Sequence, residues 1–361
     1  MLSCRSATRI TSSSHATSEM GNRKQIRLFG LIALLIALVS ACQANPPDRR
    51  TDVQSLTNQI RGMPGVVAAS ADVADNLAQG LVYLTVSVDA ADDLTSDQLA
   101  AITSRYLREL RTGKYAGYRA ELDVHHGWNV FAVDSGRLPV TNGDQILRQA
   151  RNWVALRREF TGATIRFRAT IAHPGGQMPI QEYGHSNTAT VTLNGGADYT
   201  TVAATSNRLA TRFPELAALD WTVSAGKDHP AQIATSRRFP TAAEIGVWNR
   251  LNADQSIPHI DRLRINGPVT PPVWISEETT QSRDVAVALQ LAQRHLPIAA
   301  TLPAPVLYTS SDQISGHIGG QGFARGPVSV TVGGCTKHDP LVYKPIPAEQ
   351  ALINTYETCS H

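Results

Sequence analysis

The sequence predicts an α+β fold: about three tandem helix–strand–strand–helix–strand units with antiparallel sheets, ferredoxin-like in outline. Two patterns lead to this. Several segments alternate apolar and polar residues with period two, the mark of a strand with one wet face. Between them run apolar stripes at helical spacing, two of them opened by capping signatures. Short echoes suggest repetition as well. "TSRYL" at Thr103 returns as "TSNRL" at Thr205, and Trp153-x-x-Leu156 returns as Trp248-x-x-Leu251.

In chain order, Val82, Leu84, Val86 and Val88 share one face of a first strand. Thr95 and Gln98 form a capping box ahead of the stripe Leu99, Ile102, Tyr106 and Leu110. A strand through Ala120, Leu122 and Val124 ends at His125 and His126, and a helix follows through Ile146, Ala150 and Trp153. Ile165, Phe167, Ala169 and Ile171 oppose Arg166, Arg168 and Thr170 on a further strand. Ala189, Val191 and Leu193 repeat the alternation, as do Leu219, Trp221 and Val223, with the helical stripe Val202, Ser206, Leu209 and Phe213 between them. A second capping box, Thr241 with Glu244, opens a helix holding Ile245 and Trp248. The stripe Val285, Ala288, Leu289, Ala292 and Leu296 marks another helix, and Val328, Val330 and Val332 a last strand. The proline-rich stretch around Trp274 reads as an edge connection, since proline removes a ladder donor.

These elements divide the body at Gly–Pro punctuation into units 53–140, 141–239 and 240–361. Ahead of them lie a leader, 1–19, an apolar signal, 20–41, and a short polar tether, 42–52. The apolar run Leu28–Ala41 is 14 residues long. That is short for a bilayer span of about 20 residues and right for a signal peptide. Arg23, Lys24 and Arg27 supply its positive flank, and Val39-Ser40-Ala41-Cys42 closes it. This arrangement resembles the signal of bacterial lipoproteins, whose box is Leu/Val–small–small–Cys. The resemblance implies a diacylglycerol on the Cys42 thiol, cleavage before it, and a mature chain held at the extracytoplasmic side of the cell membrane by its acyl chains. More than one such chain anchors firmly. Met20 opens a signal of normal length, so translation is expected to start there.

Removing residues 1–41 takes away Arg5, Arg9, Arg23, Lys24 and Arg27 against Glu19, so the net charge of +3 becomes −1. That balance gives no reason to expect a nucleic-acid partner. Arginine outnumbers lysine 28 to 5, a bias that follows GC-rich coding more readily than function. With Cys42 lipidated, Cys335 and Cys359 remain as a pair, and export predicts that they form a disulfide.

Candidate chemistry is sparse. His125 and His126 are adjacent on a strand and face opposite sides, so no single ion suits both and no metal is expected. The long loop 173–187 carries His173, Gln177, Glu182, Tyr183 and His185, residue types suited to a binding loop. The glycine-rich "SGHIGGQGFARG" leads into a strand and not a helix, so it is no dinucleotide loop and no cofactor is expected. No Gly-x-Ser-x-Gly elbow, His-Glu-x-x-His helix or phosphate loop occurs. The sequence therefore points to a non-catalytic, lipid-anchored envelope scaffold that binds a partner protein or envelope ligand. A hydrolase using the 173–187 loop is the alternative.

Overall fold

A computed structural model describes residues 47–76, 79–135, 142–171, 187–226, 230–312, 317–318, 324–325, 327–337 and 345–359. The expected signal, the expected lipobox with Cys42, and all of the expected binding loop but Asn187 lie outside these residues. The chain divides into two compact units. One, residues 1–45 and 76–80, falls almost entirely outside the description, and the other carries the sheet and its helices.

The architecture is one mixed sheet of 12 strands, built from repeated helix–strand–strand units. The first unit is α1 (Arg50–Arg61), β1 (Val66–Asn76) and β2 (Leu81–Ala90). There follow α2 (Ser96–Leu110) with β3 (Arg119–His126) and β4 (Asn129–Ser135), then α3 (Gly143–Glu159) with β5 (Thr164–Ile171) and β6 (Thr188–Thr192). Next come α4 (Tyr199–Arg212) with β7 (Asp220–Ser224) and β8 (Gln232–Thr235), and α5 (Ala242–Ala253) with β9 (His259–Ile265) and β10 (Val273–Thr279). The last unit is α6 (Val285–Ala299) with β11 (Val306–Ser311) and β14 (Val328–Val332). Between these two strands β12 (His317–Ile318) and β13 (Ala324–Arg325) pair on their own, and α7 (Pro347–Tyr356) closes the chain.

Strands lie in the sheet in chain order. Those of one unit pair antiparallel, as β3 with β4 and β9 with β10, while neighbouring units meet through parallel pairs. Each parallel pair is bridged by a helix, because a chain must cross over to enter the next strand in the same direction. The expectation of three ferredoxin-like units with antiparallel sheets is thus overturned. The repeat is half as long, and pairs β4–β5 and β8–β9 carry one sheet across residues 140 and 239. Period-two alternation reports which face is wet, not which way the neighbouring strand runs.

The register defines two faces. Leu84, Ala120, Val133, Ala169, Ala189, Trp221, Ile233, Leu263, Ile275, Tyr308 and Val330 lie on one of them, and the helices pack against it. Trp153 of α3 sits against Phe131 with ring centroids 6.3 Å apart and donates its indole N–H to the Ile165 carbonyl at 3.3 Å. Both predicted capping boxes are formed, Thr95 with Gln98 and Thr241 with Glu244. Buried helical threonines, Thr57 and Thr103, donate to the carbonyl four residues back, each at 2.8 Å. The stretch around Trp274 is also corrected. It leads into β10, an interior strand between β9 and β11, with Pro271 and Pro272 just outside it, where no ladder donor is lost.

The free edge of β14 is shielded. Ser329 and Thr331 donate their backbone N–H groups to Glu349 at 3.1 Å and Glu357 at 2.8 Å, and this blocks the edge against further strands. Cys335 and Cys359 stand at disulfide distance, Cα atoms 5.0 Å apart, as export of the chain predicted. No helix among the described residues is long and apolar enough to cross a membrane.

Candidate functional site

Two regions gather polar side chains, one on each face of the sheet. The open face carries the odd-numbered residues of β3 and their register partners. Arg168 donates to Asp134 at 2.9 Å and lies 2.9 Å from Glu121, while Arg119 lies 3.3 Å from Asp134. Asp123 joins this group, and burial together with the neighbouring Glu121 pushes its carboxyl up to about 6. Farther along, the face turns small and hydroxylic. A groove of about 1110 Å³ crosses β5 to β9, lined by Arg168, Thr190, Thr222, Gln232, Ala234 and Arg264. The Arg264 guanidinium stacks 4.7 Å above the Trp274 ring and has no carboxylate partner among the described residues.

The second region is buried beneath the helices. His259 and Asp261 lie two apart on β9 and so share its helix-facing side. Glu277 of β10 is the register partner of Asp261, and Ser310 of β11 is the partner of Glu277. His295 reaches them from α6, with Nδ1 2.9 and 3.0 Å from the two Glu277 oxygens. The Tyr308 hydroxyl donates to Glu277 Oε2. The His259 and His295 rings meet edge to face, centroids 5.1 Å apart. Glu277 and His295 are fully buried, and Asp261 is 1 % exposed.

Each histidine is oriented by its outer nitrogen. His259 Nδ1 donates to the Ile257 carbonyl at 2.6 Å, which turns Nε2 toward Asp261 Oδ2 at 3.3 Å without hydrogen-bond geometry. His295 Nε2 faces Asp254 Oδ2 at 3.4 Å, which leaves Nδ1 for Glu277. Asp254 follows the last residue of α5, and it accepts from Ser256 at 2.6 Å and from Arg294 at 2.7 Å. These two hold its carboxyl well below the usual range. Burial, then Asp261, drives the Glu277 carboxyl far above its ordinary value. Burial lowers His295, whereas His259 is raised because Asp261 outweighs its desolvation.

None of this buried cluster was predicted from the sequence. Its one legible trace is His259-x-Asp261 on a strand, and only the pairing of β9, β10 and β11 under α6 reveals the rest. Of the predicted binding loop, His173, Gln177, Glu182, Tyr183 and His185 lie outside the described residues. His125 and His126 take separate places, His126 with Nε2 3.0 Å from Asp92. Glu357 joins Cys335 and Cys359 in a second group with ligand-like spacing, but sulfurs bonded to each other offer no thiolate. Comparison with known protein families, curated proteins and solved structures finds no match for this chain.

Proposed function

We propose that the protein is a binding scaffold of the cell envelope, tied to the membrane by lipid on Cys42, which takes its ligand on the open face of the sheet. The groove across β5 to β9 carries this reading. Three strands, β6 to β8, present hydroxyl and amide groups at its floor, flanked by Arg168 of β5 and Arg264 of β9. A wet sheet face is ordinarily covered with long charged side chains, and this stretch keeps short ones instead. Hydroxyl and amide donors between two guanidinium groups suit a polar ligand bearing an acidic group, such as an acidic peptide segment of an envelope protein. Lipid attachment at residue 42 would keep the body close to the bilayer, since few residues separate Cys42 from α1 at Arg50.

A photoreactive side chain placed at Thr222 in living cells tests the groove against one placed at Ala204, on the exposed side of α4. The expected result is a discrete adduct from position 222 alone, lost when Arg264 is changed to Glu. Equal labelling from both positions would remove the reading. Mass spectrometry of the mature N-terminus tests the anchor separately, with an acylated Cys42 expected.

A further inference from the structure

We propose that His259, Asp261, Glu277 and His295 form a buried site for one first-row divalent cation, of which zinc suits the donors best. The geometry converges on a point between β9, β10 and α6. Ligand atoms of His259, Glu277 and His295 all lie within 4.8 Å of one another, and Asp261 Oδ2 stands 3.3 Å from His259 Nε2 at the side of this group. Two imidazoles and two carboxylates make an N2O2 set, and a tetrahedral zinc site with ordinary bond lengths has N···O edges of about 3.3 Å. The His259–Asp261 separation is 3.3 Å.

Charge points the same way. Asp261 and Glu277 are direct cross-strand partners, where like charges repel, and both are buried. No Lys or Arg reaches either among the described residues. Arg294 is held outside by Asp254, and Arg262 points to the other face, where it pairs with Glu278 at 2.9 Å. Both oxygens of Asp261 and His259 Nε2 are buried without a hydrogen-bond partner. Buried acceptors facing one another call for a cation between them. A divalent ion balances the two carboxylates in charge and supplies a partner to His259 Nε2 and to one oxygen of Asp261.

The surrounding contacts match those of metal-bound histidines, whose second nitrogen donates to a carbonyl or carboxylate. His259 Nδ1 donates to the Ile257 carbonyl and Tyr308 orients Glu277, while His295 Nε2 lies 3.4 Å from Asp254 Oδ2 without hydrogen-bond geometry. Such a site would pin two interior strands to α6 and leave the open face untouched, so it does not depend on what that face binds.

The test uses the full chain in detergent, free of any affinity tag, unfolded in denaturant with chelator and refolded with its cysteines oxidised, with and without Zn2+. The expected result is one equivalent of zinc by elemental analysis and a thermal midpoint raised by several degrees. Asp261→Asn and His259→Gln, each checked for a native near-ultraviolet spectrum, should weaken zinc binding about tenfold or more. Wild-type protein that takes up less than about a tenth of an equivalent, with an unmoved midpoint, would overturn the proposal and leave protons as the cluster's cations. Zinc retained undiminished by both variants would overturn it too, by placing the ion elsewhere.

Discussion

The early and late strands of this sheet differ in what their helix-facing side carries. From β2 to β5 the middle of the helix-facing side is apolar, with Leu84, Leu122, Val133 and Phe167 among its residues, and the charged Arg119, Glu121, Asp134 and Arg168 stand on the open side. From β9 to β11 the helix-facing side holds His259, Asp261, Glu277 and Ser310. There the other side buries Trp274, whose indole donates to Thr309 at 2.9 Å. On the open side the carboxylates face guanidinium groups, Asp134 beside Arg119 and Arg168 and Glu121 beside Arg168. A charge under helices has lost its water, so every partner it has becomes a structural requirement.

The sharpest way to break the comparison is to remove one member from each cluster. His295→Leu strips Glu277 of a buried partner and should cost about 3 kcal/mol, read as a drop in denaturant midpoint. A cost near zero would mean that the buried cluster holds nothing together. Opening the covalent closure at the same end is expected to rank next. Changing Cys335 and Cys359 together to Ser frees a loop of 24 residues in separation, a loss of about 3 kcal/mol from loop-closure entropy alone. Unfolding of oxidised and reduced wild type should show the same difference.

On the open face the effects are smaller and depend on pH. Folding raises the Asp123 carboxyl to about 6, so the folded state prefers this group protonated. Its contribution is therefore most favourable below the ordinary carboxylate pKa and is lost as pH rises through 6. Asp123→Asn should leave the thermal midpoint unchanged near pH 4 and raise it near pH 7.5, by about 1 kcal/mol after allowance for partial exposure. A rise of equal size at both pH values would point to packing instead. Smallest of all, Arg168→Met should cost about 1 kcal/mol and less in high salt, because Arg119 still lies beside Asp134 and Glu121 after the change. A loss matching that of His295→Leu would erase the distinction between the two faces.

Elements with one wet side were legible in advance. Val82 to Val88 and Ile165 to Ala169 alternate because burial alternates with the pleat, and Thr95 and Thr241 announce their helices through local hydrogen bonds. Strands covered on both sides gave no such signal. In β11 every residue is buried, so Val306 to Ser311 shows no period, and β10 carries Glu277 and Glu278 side by side, one under the helices and one paired with Arg262. The candidate sites were harder still. His259 and Asp261 announce a shared face, but Glu277, His295 and Tyr308 come from three other elements, and the open groove is lined by residues from β5 to β9.

By itself the sequence determined local things: where helices begin, which strands have a wet side, and which two cysteines stand as a pair. Each depends on residues close in the chain. The tertiary structure alone decided that the units fuse into one mixed sheet, and that four ionisable side chains meet beneath α6. Those outcomes depend on the direction and register of strands far apart in sequence, which backbone pairing sets and composition does not record.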